Sequence, residues 1–416
     1  MDISLGIGKK QAAIRIPDRN LAAILGPNRI KPEKDAVSLI RTALANPIGS
    51  PRLAEIVKPG EKVCIITSDI TRPVPSALIL PFVLDELAKI GIPDSDIEIV
   101  FGLGIHRGHT VDEMINLVGE AVYKRIRCVD SDPDRVVNFG RTPTNGTPVD
   151  VFEDVARADR RICLGNIEFH YFAGYSGGGK AIMPGVSTRR AIQINHSQMV
   201  KPEAIIGEME NNPVRLDIDA AAGMVGVDFI LNVVLNEKKD IVFAVAGDFI
   251  KAHRVGTRFL DSLYKINIER RADIVLVSPG GFPKDINLYQ AQKALDNAKN
   301  AVRDGGIIIL AAACSEGLGE EVFERWMLGA KTSGQLIRDI QANFEVGGHK
   351  AAAIAMVLER AKVFLVSDLP DDFVRKIFFE PFPDLNAALT AAFAKLGNEA
   401  KIIVMPHGGS TLPVCG

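Results

Sequence analysis

The segment "EKVCIITSDITRPVPSALILPFVLDELAKIG", residues 61–91, decides the architecture. Its opening, 61–69, is an apolar run rich in β-branched residues and closed by a polar turn, the pattern of a strand buried on both faces. "SDITRPVP" (68–75) then interrupts the chain with two prolines. "PSALILPFVLDELAKIG" (75–91) repeats apolar residues at helical spacing, with Ser76 as the expected N-cap. Strand, short loop and helix in that order are the first half of a βαβ unit.

The same alternation extends in both directions. "IEIVFGLG" (97–104) is the next expected strand. "TVDEMINLVGEAV" (110–122) is a helix whose Thr110 cap has Glu113 three residues on, the spacing of a capping box. "RIRCVDSD" (125–132) and "RRICLGNIE" (160–168) read as further strands. After residue 268 the pattern restarts with the strand "ADIVLVSPGG" (272–281) and the Asn287-capped helix "NLYQAQKALDNAKNAV" (287–302). The strands "GGIIILAAAC" (305–314), "AKVFLVSDL" (361–369) and "AKIIVMPHG" (400–408), with a helix near 384–396, complete it. The expected fold class is therefore α/β, with two domains, each a mainly parallel sheet flanked by helices. The boundary is placed in the charged segment "NIERRAD" (267–273), which gives domains 1–268 and 269–416.

The bulk composition narrows the function classes. Hydrophobic residues make up 47% of the 416, enough for two buried cores. A net charge of −2 excludes the basic excess of a general nucleic-acid binder, yet allows a small anionic substrate held by local cations. The five cysteines form no C-x-x-C pair and mostly lie in apolar runs, as buried, reduced thiols do. No stretch is long and apolar enough to span a membrane, and "MDISLGIGKKQ" has no secretory core. The expected location is the cytoplasm.

In open parallel sheets, ligands bind beyond the carboxyl ends of the strands. The chemically loaded segments fall there: "SDITRPVP", "GIHRGHT" (104–110), "NIEFHYFAGYSGGGK" (166–180) and "PGGFPKDINLYQAQK" (279–293). The last belongs to the second domain, so the expected site is an interdomain cleft.

Gly174 to Lys180 match G-x-x-x-x-G-K, the outline of a phosphate-binding P-loop. Ala181 stands where that loop needs a Ser or Thr for magnesium, and Pro184-Gly185 stands where it needs a helix. A nucleotide-binding, P-loop-like enzyme is thus the weaker reading. Gly177, Gly178 and Gly179 still let the backbone approach a ligand closely; the bland alternative is a flexible turn with a solvated lysine.

Of seven histidines, His106 and His109 share an H-x-x-H spacing but have no third ligand nearby, which disfavours zinc. His253, in "KAHRVGT", reads as a solvated surface residue. His106, His170 and His196 keep better company. Arg72 and Asp69 stand in one strand-end turn, and Lys180 is presented by the glycine loop. Together these residues offer proton acceptors, an amine and a guanidinium that suits a carboxylate. A local Arg72–Asp69 salt bridge is the structural alternative.

"SDITRPVP", "GIHRGHT", "FHYFAGYSGGGKAIMPGVS" (169–187), "NHSQM" (195–199) and "GGFPKDINLYQAQKAL" (280–295), in that order, resemble the nickel-dependent lactate racemase family over most of the chain. The resemblance implies an isomerase, a racemase or epimerase of 2-hydroxy acids working by reversible hydride transfer through a 2-keto acid. It implies a nickel-pincer nucleotide (a nickel pyridinium-3,5-bisthiocarboxylic acid mononucleotide) covalently joined to Lys180, with His196 as the protein ligand of nickel and Asp69 in the cofactor-binding turn. His106 and His170 match the acid–base pair. Arg72, Tyr289, Gln290 and Lys293 match substrate-binding residues. The implied partners are a small 2-hydroxy acid and the proteins that make the cofactor. A non-catalytic cofactor carrier is the remaining alternative; it would need Lys180 and His196 but not two further histidines.

Overall fold

The computed structural model describes residues 1–26, 28 and 35–415. The chain divides into two compact units, Ile30–Asp261 and a second made of Met1–Arg29 with Ser262–Gly416.

The unit Ile30–Asp261 is built on a six-stranded sheet in the spatial order Ile241–Gly247, Phe229–Leu235, Arg160–Ile167, Val63–Ser68, Ile97–Gly102, Arg127–Asp130. Every neighbouring pair is parallel except the edge strand Ile241–Gly247. Val63–Thr67 is buried without interruption, as the opening segment predicts for a strand covered on both faces. Helix Ser76–Lys89 buries Ile79, Leu80, Val83, Leu84 and Leu87, a 3.6-period stripe that packs on Val63, Ile65, Ile99 and Phe101. Ser76 does not cap this helix. Pro75 occupies the cap position without a side-chain hydrogen bond, and the buried Ser76 hydroxyl pairs with Thr67 Oγ1 at 2.7 Å. The Thr110 capping box forms as expected.

The chain runs from Val63–Ser68 to the strands on one side, then crosses to Arg160–Ile167 on the other. The strand order therefore reverses between Ser68 and Ile167. The crevice beyond those two ends is the topological switch point, where open α/β sheets place ligands.

The second unit has an all-parallel six-stranded sheet: Glu380–Phe382, Ala361–Val366, Val302–Ala311, Ala272–Val277, Ile402–Met405, Leu21–Ile24. Alternate residues of its strands face two cores. Val275, Val277, Ile308 and Leu310 meet helices Leu288–Ala298 and Gly348–Arg360. Ile274, Leu276, Ile307 and Ile309 meet helix Leu385–Leu396 and the hairpin Asp2–Ile7/Lys10–Arg15. The first residues of the chain thus belong to this unit, and Leu21–Ile24 to its sheet, whereas the sequence placed 1–268 in one domain. Leu21–Ile24 pairs with Ile402–Ile403–Val404, and Asn20 Nδ2 bonds the carbonyls of Asn398 and Ala400 at 2.8 and 2.9 Å. The division after the middle of the chain falls at Asp261/Ser262, just ahead of "NIERRAD".

Candidate active site

Three strand-end loops of the unit Ile30–Asp261 carry the site. The turn after Ser68 buries Asp69, whose Oδ2 lies 2.5 Å from His106 Nδ1 and whose Oδ1 accepts from Thr71 Oγ1 at 2.8 Å. Burial alone would raise the Asp69 carboxyl. The hydrogen bond and charge of His106, with Thr71 and Arg72, more than offset it, and the pKa is lowered. An ionised Asp69 only accepts, so His106 donates through Nδ1. Arg72 is exposed three residues beyond Asp69 and pairs with no carboxylate among the described residues, so the Arg72–Asp69 salt bridge is not formed.

The second loop follows Ile97–Gly102. His106 and His109 bond different carboxylates there, Asp69 and Asp130, and do not converge as a chelate. Among the described residues, no group of three His, Cys, Asp or Glu side chains is arranged to hold a metal.

The third loop follows Arg160–Ile167. Phe169–His170 and Gly174–Tyr175 form a short hairpin, and Gly178–Ala181 a single 3₁₀ turn. Glycine is required twice over at Gly177 and Gly178. Their φ values are +76° and +60°, and a Cβ would fall 2.8 Å from Asn232 Oδ1 and 2.9 Å from the His253 ring. The Gly178 amide donates to Asn232 Oδ1 at 2.8 Å, so it is used within the protein. No helix follows at once; residues 182–186 are turn, as "AIMPGVS" suggests.

The carbonyls of this loop are tied from below. The fully buried Arg215 guanidinium donates to Tyr175 O, and more weakly to Ala173 O and Gly177 O at 3.4 Å each. His253 donates from Nε2 to Ser176 O at 2.7 Å, while Arg254 donates to its Nδ1 at 3.2 Å. His253 is 0% exposed, and burial together with the Arg215 charge holds it neutral, well below the usual imidazole range. The surface reading of His253 is overturned. Helix Lys251–Tyr264 turns His253, Gly256, Thr257 and Leu260 inward on one face, and Lys251 and Arg258 outward.

On this base the expected residues gather. The Phe172 ring meets His170 edge-on at 4.5 Å and His196 at 5.0 Å between centroids. Burial and the surrounding charges of Lys180, Arg72, His196 and Arg215 hold His170 well below the ordinary imidazole value. Ala173 N–H lies 3.3 Å from its Nδ1, a long contact that orients the ring. Burial, then Arg215 and Arg72, likewise push Lys180 well below the usual lysine range, against the opposing influence of Glu168. Asp69, Arg72, His106, His170, Lys180 and His196 thus belong to one region.

His196 is set by a relay. Asn195 Nδ2 donates to Asp217 Oδ2 at 2.8 Å and to Val214 O at 3.2 Å, which leaves Asn195 Oδ1 as the acceptor facing His196 Nδ1 at 2.9 Å. His196 therefore donates through Nδ1, which in the neutral ring puts the lone pair on Nε2, the form a metal-ligating histidine takes. Asp217 is fixed in turn by the hydroxyls of Thr142, Thr144 and Thr147. Neither Asn195 nor Asp217 was singled out from sequence. The signal available was Asn195 beside His196 within helix Arg189–Ser197.

Tyr289, Gln290 and Lys293 lie in the other unit, in the first turns of helix Leu288–Ala298, where Asn287 caps by accepting from Gln290 N–H at 3.0 Å. Gln290 and Lys293 are exposed. Lys350 Nζ sits 3.7 Å from the Tyr289 ring centroid and donates to Tyr289 O at 2.6 Å.

Residues 7–207 match the model of the lactate racemase N-terminal domain, and 268–412 that of its C-terminal domain. The chain is 35% identical to a lactate racemase of Thermoanaerobacterium thermosaccharolyticum, across 99% of both chains. It is 33% identical to a lactate racemase of Lactiplantibacillus plantarum, across 98% of both. The solved lactate racemase apoprotein of the first organism superposes with a TM-score of 0.89, covering 99% of this chain and 100% of that one. A Thermotoga maritima protein shares the fold at 17% identity, with a TM-score of 0.59 over 89% of this chain and 100% of its own.

Proposed function

Since the chain belongs to the lactate racemase family, we propose that it inverts the hydroxyl-bearing carbon of a small 2-hydroxy acid, with a nickel-pincer nucleotide held by Lys180 and His196. When bound, that group supplies reversible hydride storage, so that the substrate carbon passes through a planar 2-keto acid and can be reduced on either face. One observation carries the reading. Lys180, His196, His170 and Arg72 share a single electrostatic neighbourhood at the switch point.

The chain's own groups suit their parts. Lys180, with its pKa depressed, gives up its proton more readily than an ordinary lysine, which suits an amine acylated by the cofactor. The Nε2 lone pair of His196 suits nickel, and Asn195 and Asp217 keep it on that nitrogen. Arg72, with no carboxylate partner among the described residues, can take the substrate carboxylate in a two-pronged hydrogen bond. His106, held by Asp69, exchanges a proton with the substrate oxygen at Nε2, and neutral His170 does so for the other enantiomer. The burial of Asp69 against His106 favours an orienting role over direct cofactor binding. Tyr289, Gln290 and Lys293 are assigned to the substrate.

The nucleotide-binding reading is disfavoured by Ala181 and by the Gly178 amide bonded to Asn232. The carrier reading is disfavoured by the Asp69–His106 pair, which carriage does not need. Among the described residues no helix is long and apolar enough to cross a membrane. The same proposal places the enzyme in the cytoplasm, supplied by cofactor-synthesis proteins.

Intact mass and chiral chromatography test the proposal on protein produced together with cofactor-synthesis enzymes. The loaded chain should be heavier than its sequence by one cofactor and should racemise at least one 2-hydroxy acid. Lys180→Ala should show neither. A loaded chain that racemises no member of a broad panel would refute the activity.

A further inference from the structure

His109 is outside the acid–base pair, yet its side chain is only 1% exposed and both ring nitrogens have partners. Nδ1 lies 2.6 Å from Asp130 Oδ1, and Nε2 lies 3.1 Å from the backbone N–H of Ile70. A backbone N–H can only donate. Nε2 must therefore present its lone pair and Nδ1 must carry the proton, which selects one neutral tautomer. Asp130 closes the arrangement by accepting the backbone N–H of His109 at 2.7 Å through its other oxygen. The Phe101 ring packs beside the imidazole, centroids 5.1 Å apart. Gly108 leaves little room for adjustment, since a Cβ there would lie 3.2 Å from Asp130 Oδ2.

What this imidazole holds is the neighbouring loop. Ile70 stands between Asp69 and Arg72, and Arg72 N–H returns to Asp69 O at 3.1 Å, so the three residues move as one turn. His106 grips the front of that turn through Asp69, and His109 grips its middle through Ile70. Two histidine bonds, three residues apart on one loop, thus lock two strand-end loops together.

We infer that His109 is a positioning residue, a neutral strut that fixes the spacing between the Arg72 guanidinium and the His106 imidazole. The roles of Arg72 and His106 rest on the proposed function; the strut itself does not. Losing it frees the turn, so substrate capture through Arg72 suffers first, and proton exchange at His106 follows because Asp69 moves with the same turn.

Two variants separate positioning from bulk packing. His109→Leu fills the space and cuts both hydrogen bonds. His109→Gln has one amide oxygen for Ile70 and one amide N–H for Asp130. In loaded enzyme, His109→Leu should raise KM for the hydroxy acid about tenfold or more, with a smaller fall in kcat, and His109→Gln should stay within about threefold of the parent. Amide hydrogen exchange on the cofactor-free chain supplies a readout independent of activity. Ile70 should exchange at least about tenfold more slowly than Thr71, whose amide has no partner among the described residues. That protection should persist in His109→Gln and vanish in His109→Leu. Equal exchange at Ile70 and Thr71 in the unmodified chain would overturn the strut even if the Leu variant does not fold. So would an unchanged KM in His109→Leu, or a Gln variant as impaired as the Leu variant. Failure of the unmodified loaded chain to racemise anything would count against the proposed function alone, since the exchange measurement would still decide the strut.

Discussion

The two sheets reverse strand order in the same way, and the chain treats the two switch points oppositely. In the unit Ile30–Asp261, the loops leaving Ser68 and Ile167 hold Asp69, Arg72, His170 and Lys180. In the other unit, order reverses between Ala272–Val277 and Ile402–Met405, and there the chain's own backbone occupies the loop ends. Ser278 Oγ donates to Gly6 O at 2.5 Å, Phe282 N–H to Gly8 O at 2.8 Å, and Gly8 N–H to Asp285 Oδ2 at 2.6 Å. Gly408 N–H, a potential anion donor, bonds Ser278 O at 2.8 Å. Parallel-sheet topology thus offers two crevices; one carries the residues proposed to meet a ligand, and at the other the N-terminal hairpin satisfies the polar groups.

The sharpest way to break this contrast is to remove one proton-exchanging imidazole at a time. His106→Ala and His170→Ala should each lower racemisation by about 100- to 10,000-fold, the usual worth of general acid–base help. The mass increment at Lys180 should survive in both, because neither residue is assigned to attachment. Loss of the increment along with the activity would mean that the histidines build the cofactor site and do not act on substrate.

The contrast was only half visible in the sequence. Apolar runs and turn residues located the strands, and the capping signals at Thr110 and Asn287 worked because they are local, with donor and acceptor three residues apart. Ser76 failed as a cap because a buried partner, Thr67, competed for its hydroxyl. The strand Leu21–Ile24 was missed because its partner Ile402–Met405 lies some 380 residues away, and nothing local announces such a pairing. At the site, residue types and order pointed to Asp69, Arg72, His106, His170, Lys180 and His196. The supports beneath them did not stand out. Arg215 and His253 lie among charged neighbours that suggest solvent, and only helical phase, 253–256/257–260, separates the inward face from the outward one.

A smaller effect is expected from disturbing the closed switch point. An ideal Cβ on Gly6 would lie 2.8 Å from Gly280 C, a backbone atom that cannot swing away. Gly6→Ala should therefore cost about 1–3 kcal/mol of stability, read from urea unfolding, as overpacking does. Attachment of cofactor to Lys180 should be unaffected. A variant that keeps full stability but no longer acquires the mass increment would show that the hairpin serves the site and not merely the fold.

The smallest effect is a slope. Lys180 has its pKa depressed by burial and by the charges of Arg215 and Arg72, so the folded, cofactor-free chain releases this proton at lower pH than the unfolded chain. Between the depressed value and the ordinary lysine value of about 10.4, the unfolded state binds more protons, and folding stability rises with pH. One group limits that rise to about 1.4 kcal/mol per pH unit. Its contribution is lost as pH falls towards the depressed value and is constant below it. Urea midpoints of cofactor-free protein at pH 8.5 and 9.5 should therefore be closer together in Lys180→Met than in the parent, since methionine keeps the volume and removes the titration. Acylation of Lys180 abolishes the same titration, so the loaded parent should show the flatter slope as well. If the parent and Lys180→Met respond alike to pH, the amine is not held deprotonated by its surroundings, and its readiness for acylation needs another cause.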